Sequence, residues 1–566
     1  MTDAQPLGSF TFVLHSHIPY ARMAGRWPHG EEWVYEAAAD TYLPLLAALH
    51  DLAAEGVNYR LTISLTPVLA EQLADRYILN EFGHYLRDLR DRAAADVDRF
   101  QRSGETHAES VARFYAQHFE ALLDCFDNRF GGDLIGAFRW LQDEGYVELA
   151  TSAATHGYLP LFERDSSIYA QVRQGVRTYR KHFGRAPESF WLPECAYRPA
   201  KEGRIGLEAF LAAQGLRVFF VESHTILGGQ PTGKAAGDAL GPYGKGAAQA
   251  DPAEAFEGLP GRTTFQPYFV HEPRVAAIGR NVATGLQVWS AEHGYPGDFA
   301  YREFHSKDSQ TGMRYWRVTG ADVELGEKKR YDPWTAFDRA AEHARHFAML
   351  VEEQARGYRA ASGRHGIVSA AYDTELFGHW WFEGVAWLKD ALRLLAHSET
   401  VALTSAGEYV REHRPEEIVE LPESSWGEHG THHVWLNDET AWMWPLINER
   451  QRRIEEIVAA AAAQPEEGPA RRALEQLARE LFLLESSDWP FLVTTGQARA
   501  YAEQRFHEHR ARFDALAEQL ERGAVNFRYV DDVALIDQVF DNVDPADFAE
   551  RQGWAETAIR VPRARR

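Results

Sequence analysis

The sequence predicts an α/β protein built around a (β/α) barrel, with an inserted helical region and a helical C-terminal region. Short β-rich runs such as "SFTFVL" (9–14) and "GIVSAAY" (366–372) alternate with helical segments. The runs are almost continuously apolar, which is typical of a parallel sheet covered by helices. Most of them end in polar residues, and the carboxyl ends of barrel strands meet at one mouth. The pattern therefore predicts a site at that mouth.

Eight runs are predicted to be strands, and seven or eight strand–helix units suffice for a closed barrel. In chain order they are "SFTFVL", "YRLTISLTP", "YVELATSAAT", "SFWLP", "RVFFVE", "LQVWSAEH", "GIVSAAY" and "VALTS". Helical segments such as 41–56 and 336–358 lie between most of these runs. An open doubly wound sheet is the alternative architecture, but no glycine-rich dinucleotide-binding turn follows the first run.

Two regions interrupt the alternation of strands and helices. Residues 81–130 have the apolar spacing of helices and follow the second strand, which indicates an insertion. Residues 439–520 contain three further helical patterns that suit a bundle packed on the barrel. We therefore expect a barrel made of residues 1–80 and 143–405, an inserted helical domain at 81–142, and a C-terminal helical domain at 406–566.

Charge and composition exclude several classes of function. The net charge of −23, from 60 basic and 83 acidic residues, argues against nucleic acid or an anionic membrane as partner. Cys125 and Cys195 are the only cysteines, which predicts no disulfide framework and a reducing compartment. The N-terminus lacks the pattern of a signal peptide, and no run approaches the roughly 20 apolar residues of a membrane helix. We expect a cytoplasmic protein that is a monomer or a weak dimer.

Two carboxylic acids follow strands in the same way. Glu194 ends the run "SFWLPE", and Asp373 ends "GIVSAAYD" just before a segment that resembles a helix start. Transfer or hydrolysis of a glycoside needs two carboxyls that face one cleft, one to attack the anomeric carbon and one to protonate the leaving oxygen. Structural roles remain open for both: Glu194 could form an ion pair with Arg198, and Asp373 could cap the helix.

Histidines near the same strand ends allow a second interpretation. His15 and His17 in "HSH" lie on one face of an extended segment, as metal ligands often do. With His156 and Asp373 they could hold a metal for hydrolysis, as in barrel-type polysaccharide deacetylases. Histidines also hydrogen-bond sugar hydroxyls, and the 16 tryptophans of the chain suit either a sugar cleft or an aromatic core.

Residues 226–262 form a long segment rich in Gly, Ala and Pro, with Tyr243 among glycines in "GPYGKG". Segments of this length without regular structure are usually functional lids or disordered spacers. Both interpretations remain open from the residues alone.

Five ordered motifs resemble those of glycoside hydrolase family 57, and the match spans nearly the whole chain. They are "HSHIPY" (15–20), "GYVELATSAATHGYLP" (145–160), "FWLPECAY" (190–197), "AYDTELFGHWW" (371–381) and "ESSWG" (423–427). The resemblance implies a (β/α)7 barrel with a helical insert and a helical C-terminal domain. It also implies a retaining mechanism with Glu194 as nucleophile and Asp373 as general acid/base, and neither a metal nor an organic cofactor.

The resemblance further implies a set of residues that bind an α-1,4-glucan such as amylose or glycogen. His15 and His156 match positions that contact the sugar at the cleaved bond, and Trp27, Trp289 and Trp435 would be aromatic platforms. The full set is His15, His17, Trp27, His156, Tyr243, Arg280, Trp289, Gly297, Trp426, Trp435, Asp488 and Gln497.

Within the family, "SSDWPFLVTTGQARAYAEQRF" (486–506) and the Tyr243 segment resemble members that introduce α-1,6 branches into α-1,4-glucans. Branching requires that a sugar 6-hydroxyl, and not water, intercepts the glucosyl-enzyme, and the resemblance gives Tyr243 the role of a gate that excludes water. The alternatives are a 4-α-glucanotransferase, an amylase-type hydrolase, or a non-catalytic glucan-binding protein.

Overall fold

The computed structural model describes residues 5–228, 261–272, 274–289, 294–320, 323–461 and 468–551. Tyr243 and its segment lie outside the described residues. The strands are β1 (Gly8–Ser16), β2 (Leu61–Leu65), β3 (Val147–Ser152), β4 (Ser189–Trp191), β5 (Val218–Val221), β6 (Tyr268–Val270), β7 (Ala276–Gly279), β8 (Gly366–Asp373), β9 (Val401–Leu403) and β10 (Ile418–Val419).

α-Helices connect most of the strands, four of them in succession between β2 and β3, and the last of them follow β10. They are α1 (Glu31–Ala37), α2 (Leu43–Ala54), α3 (Pro67–Ala74), α4 (Arg76–Ser103), α5 (Thr106–Asp124), α6 (Leu134–Asp143), α7 (Asp165–Phe183), α8 (Leu207–Ala213), α9 (Ser223–Leu227), α10 (Val282–Trp289), α11 (Pro333–Ser362), α12 (Gly384–Ala396), α13 (Ala406–Glu412), α14 (Met443–Ala461), α15 (Pro469–Leu484), α16 (Asp488–Thr495), α17 (Arg499–Glu521) and α18 (Phe527–Ile536).

Seven parallel strands form the centre of the sheet, in the order β7-β5-β4-β3-β2-β1-β8. β9 pairs in parallel with the first residues of β1, and β6 pairs with β7 in the antiparallel direction. Across the described residues the strand ladder is interrupted between β7 and β8, where the N–H of Asn281 donates to the carbonyl of Ser369 at 2.8 Å. The predicted (β/α)7 class is confirmed, as a barrel whose ladder does not close completely.

Two local predictions were wrong. "LQVWSAEH" was predicted to be a strand, but its first four residues complete helix α10, and β7 occupies that place in the order. A short apolar run has no period that separates a strand from a buried helix. The helix expected directly after Asp373 is a 3-10 turn at Thr374–Leu376, and α12 begins only at Gly384.

Helices occupy both regions that interrupt the alternation. α4 and α5 pair along their lengths after α3 and present their apolar faces inwards. After β10, helices α14 to α18 pack on one another and on α7. The exact domain boundaries at 81–142 and 406–566 stay a prediction.

The sheet is buried between its helices. All nine residues of β1 are buried, and Phe12 packs against Phe347 of α11 and Trp387 of α12 with ring centroids 5.6 and 5.9 Å apart. Burial on both faces explains the continuous apolar runs of the sequence. Within the described ranges, no helix combines the length and apolar character needed to cross a membrane.

Candidate active site

The carboxyl ends of the parallel strands open into a cavity of about 300 Å³. In the parallel register His15 on β1 lies beside both Asp373 on β8 and Ser64 on β2. The volume is at the lower end of the range for ligand pockets. Nine of the residues predicted from the sequence line this cavity: His15, His17, His156, Glu194, Trp289, Asp373, Trp426, Asp488 and Gln497.

Glu194 occupies a sharp turn directly after β4. Its backbone is left-handed, with φ 60° and ψ 27°, and Cys195 follows with φ 48°. Such a conformation is unfavourable for a residue with a side chain and persists where the surroundings determine it, commonly at functional sites. Glu194 is only 7% exposed, and it faces the cavity. The turn therefore holds one carboxyl at a fixed place in the mouth.

Trp426 holds Glu194 through two hydrogen bonds. Its indole Nε1–H donates to Glu194 Oε2 at 2.6 Å, and its backbone N–H donates to the Glu194 carbonyl at 3.0 Å. A short hydrogen bond to a carboxylate favours the ionised form and fixes its orientation. His156 Nδ1 lies 3.8 Å from the other oxygen, Glu194 Oε1. Glu194 is thus arranged as an oriented carboxylate.

Asp373 is the last residue of β8, and it reaches the same cavity from the opposite part of the sheet. Its neighbour Thr374 bonds the hydroxyl of Ser16 at 2.7 Å, which ties the end of β8 to the end of β1. Glu375, in the turn after Asp373, is buried and also lines the cavity. Two strand ends therefore bring three carboxyls to the mouth, and Glu36 and Asp488 also line it.

His15 and His156 form a hydrogen-bonded pair at the base of the cavity. Their Nε2 atoms are 3.0 Å apart, so one imidazole donates and the other accepts. His156 Nδ1 also bonds the hydroxyl of Ser487 at 2.9 Å, and His15 stacks on Trp191 with centroids 4.6 Å apart. The hydrogen bond between the two Nε2 atoms means that the tautomer of one imidazole determines the tautomer of the other. A serine hydroxyl can bond Nδ1 in either tautomer, because it both donates and accepts. These bonds therefore fix the orientation of two imidazoles that line the cavity.

His17 joins the barrel to the C-terminal helices. Its Nε2 lies 2.9 Å from Asp488 Oδ2 at the start of α16, and its Nδ1 bonds the hydroxyl of Thr66 at 3.0 Å. Burial alone would lower the pKa of His17, but Asp488, followed by Glu375, raises it above the usual value. His17 therefore favours the charged form and offsets part of the negative charge of the mouth.

Two predicted tryptophans lie outside the lining of the cavity. Trp27 is 79% exposed, whereas Trp435 is fully buried and stacks on Tyr158 with ring centroids 4.3 Å apart. A platform must offer a free ring face, which Trp27 has and the buried Trp435 lacks in this arrangement. Their roles in binding stay predictions.

Arg280 and Gly297 also lie outside the lining, although both are close to elements that form it. Arg280 is buried and pairs with Glu222 at 2.7 Å, so its charge is engaged within the barrel. Gly297 ends the 3-10 turn Tyr295–Gly297 that follows α10. Tyr243 lies outside the described residues.

Several residues of the site escaped the sequence analysis. The hydroxyl of Ser487 bonds His156, and the hydroxyl of Thr66 bonds His17. Tyr42 donates a short hydrogen bond to Glu375. Ser487 adjoins Asp488 in the C-terminal motif, which is a usable signal. No pattern in the sequence marks Tyr42, because it reaches the site from a helical turn before α2.

Comparison with known proteins places this geometry in a family. The family model for glycosyl hydrolase family 57 matches residues 11–422, and a model for the C-terminal region of 1,4-alpha-glucan branching enzymes matches residues 447–548. The chain is 46% identical over 525 residues to a 1,4-alpha-glucan branching enzyme of Thermococcus kodakarensis, covering 91% of this chain and 74% of that one. It is 34% identical over 527 residues to a probable 1,4-alpha-glucan branching enzyme of Mycobacterium tuberculosis, covering 90% and 91%.

Solved structures give the same result. The crystal structure of the Thermococcus enzyme aligns with a TM-score of 0.88 at 44% identity, covering 96% of this chain and 97% of that one. An alpha-amylase from Thermotoga maritima aligns with a TM-score of 0.80 at 29% identity, covering 96% and 99%. The expected resemblance is confirmed over most of the chain, and the chain belongs to glycosyl hydrolase family 57.

Proposed function

We propose that this protein is a 1,4-alpha-glucan branching enzyme, which cleaves an α-1,4-glucan and transfers the released chain to a 6-hydroxyl. The observation that carries the proposal is the pair of carboxyls, Glu194 and Asp373, that face one cavity from separate strand ends. Relatives that share the fold over most of this chain are named as branching enzymes, and residues 447–548 match the model for the C-terminal region of such enzymes.

In the proposed first step, Glu194 attacks the anomeric carbon while Asp373 protonates the glycosidic oxygen. The indole N–H of Trp426 orients the Glu194 carboxyl, and the left-handed turn places the backbone that carries it at the mouth. Bond formation at the anomeric carbon and bond cleavage to the leaving oxygen then occur on opposite faces of the sugar. The product is a covalent glucosyl-enzyme and a shortened chain.

In the proposed second step, Asp373 removes the proton from an acceptor 6-hydroxyl, which displaces Glu194 and forms the α-1,6 bond. Two inversions at one carbon retain its configuration. His15 and His156 line the cavity with imidazoles whose orientation their mutual hydrogen bond fixes, so they suit contact with the sugar at the cleaved bond. The other predicted contacts in the lining, including Trp289 and Gln497, would bind further parts of the glucan.

Incubation with amylose tests the proposal. Reducing ends are counted before and after treatment with a debranching enzyme. Branching creates few new ends before debranching and many after it, because each cleavage is followed by transfer. New ends that appear mainly before debranching would contradict the proposal.

Hydrolysis is the second candidate, favoured by the likeness to the Thermotoga alpha-amylase. The two reactions share the first step and differ in the acceptor, so exclusion of water decides between them. We propose Tyr243 as the residue that limits access of water. Tyr243→Ala should raise the ratio of new reducing ends to new branches while glucan binding is preserved, and an unchanged ratio in linkage analysis would refute the gate.

Three further predictions accompany this function. We propose the boundaries 1–80 and 143–405 for the barrel, 81–142 for the insert and 406–566 for the C-terminal domain, which the helical character of α4, α5 and α14 to α18 supports. We also propose a cytoplasmic monomer or weak dimer. Sedimentation at several protein concentrations tests the assembly, and an association that persists on dilution would contradict it.

A further inference from the structure

Glu375 is a third carboxyl at the mouth that the two-carboxyl mechanism does not use. It lies two residues after Asp373, in the 3-10 turn Thr374–Leu376, and lines the same cavity. Its side chain is nine-tenths buried. A buried acid next to the proposed general acid/base must affect how that group holds its proton, because two nearby like charges disfavour each other.

The contacts of Glu375 suit both of its protonation states. Its Oε1 atom accepts the backbone N–H of His17 at 3.1 Å and a short hydrogen bond from the hydroxyl of Tyr42. Two donors on Oε1 stabilise the carboxylate and leave Oε2 as the atom that carries a proton in the neutral acid. Glu375 can therefore gain or lose a proton without breaking these two bonds.

The surroundings of Glu375 set its charge near neutral pH. Burial, followed by the charge of Asp373, raises the pKa of Glu375 to about 7, against the lowering effect of the Tyr42 hydroxyl and the His17 N–H. The His17 imidazole, whose own pKa is raised in part by Glu375, faces it from the end of β1. Glu194 and Asp488 act on the same imidazole, and the further titratable side chains that line the cavity are Glu36, His29, His15, His156 and His379.

We propose that Glu375 is a positioning residue for the general acid/base, and that Asp373 and Glu375 share one proton in the form of the enzyme that binds the donor glucan. This inference rests on the proposed function of Asp373. When the proton is on Asp373, the negative charge of Glu375 opposes its loss.

The proton is conserved through the cycle. The pair enters with one proton, and Asp373 gives it to the glycosidic oxygen as Glu194 forms its bond to the anomeric carbon. Both carboxyls of the pair are then ionised until Asp373 takes the proton of the acceptor hydroxyl. The pair is restored with one proton, and no co-reactant is needed beyond donor and acceptor.

Glu375→Gln tests the proposal, because glutamine keeps an oxygen for the Tyr42 and His17 donors and removes only the charge. Initial rates of loss of iodine-staining amylose give kcat/KM against pH, and this readout counts cleavage whether the chain is then transferred or hydrolysed. We expect the alkaline limb to move to lower pH by about one unit, a roughly tenfold loss on the alkaline side, with little change on the acidic side.

Tyr42→Phe is the matched variant and should act in the opposite direction. It removes a donor that stabilises ionised Glu375, so the pair keeps its proton to higher pH and the alkaline limb moves up while the maximum rate falls. If Glu375 only supported the fold, each variant would lower the rate by the same factor at every pH and leave the alkaline limb in place. That result would overturn the proposal.

An alkaline limb that is unmoved in Glu375→Gln would also overturn the proposal. If this variant does not fold, the direction of the shift in Tyr42→Phe decides. Failure of the branching function would instead appear in the linkage products of the unaltered protein, so the two failures are distinguishable.

Discussion

The hydrogen bond from Trp426 to Glu194 predicts a measurable shift in the acid limb of activity. In Trp426→Phe the backbone bond to the Glu194 carbonyl remains, and only the indole N–H at 2.6 Å from Oε2 is lost. A hydrogen bond to a charged group contributes about 1.5–3 kcal/mol, which corresponds to about one to two units of pKa. Because the bond favours ionised Glu194, its loss raises the pKa of the nucleophile, and the acid limb of kcat/KM should move up by about that amount.

Initial rates of amylose conversion across pH measure this shift. Trp387→Phe is the control for the loss of a buried indole, since Trp387 is fully buried on α12 and its Nε1 has no hydrogen-bond partner among the described residues. Both variants should lose stability through the space left by the smaller ring. Only Trp426→Phe should move the acid limb, and an unmoved limb, or equal shifts in both, would refute the proposed role of the bond.

Other outcomes follow from the same site. Glu194→Gln and Asp373→Asn should each lower amylose turnover by about 10³-fold, because each removes a group that forms or breaks a bond; an active variant would exclude that residue from its assigned role. Asp488→Asn should lower the pKa of His17. The stability that His17 gains from a raised pKa is present below its unfolded value and disappears as pH rises through the folded value. Denaturant unfolding should therefore show a loss of about 1 kcal/mol at about pH 6 and a smaller loss at about pH 9. A loss that grows with pH would contradict this.

The strands could be predicted because burial on two faces leaves a clear sequence pattern. The continuous apolar runs that became β1 and β8 end in His15 and Asp373, and the parallel register then brings those two residues side by side. A strand end is a position that the sequence reveals, so both proposed catalytic carboxyls, Glu194 and Asp373, could be found. Distances between strand ends depend on barrel curvature, which short local patterns do not encode.

The segment after Asp373 shows where local patterns fail. "TELFGHWW" has helix-like spacing, but Gly378 has φ 107° and a Cβ there would lie 1.8 Å from the carbonyl of Asp40. The chain turns sharply at this contact, and Trp381 then packs in the core before α12 begins. Contact with a distant backbone decided the conformation, and no residue nearby in the sequence announces it.

The contacts that complete the site from the C-terminal helices were equally hidden. Ser487 bonds His156 across 331 positions of the chain, and Asp488 bonds His17 across 471. Amphipathic periodicity predicts that α15 and α17 are helices, yet it does not state which end of the bundle meets the barrel. Only the resemblance of residues 486–506 to a known family pointed to them.

The three carboxyls at the strand ends, Glu194, Asp373 and Glu375, differ in what surrounds them, and that difference supports their proposed roles. Glu194 receives a short N–H donor that favours its charge, as a nucleophile requires. Glu375 is buried beside Asp373, and its pKa is raised to about 7, so a proton remains in the mouth at neutral pH. Environments that separate the pKa values of neighbouring acids mark which group attacks and which supplies a proton. Asp373 lies two residues before the buried acid Glu375 and faces the same cavity as Glu194, which suits the acid/base role for Asp373 and the attack for Glu194.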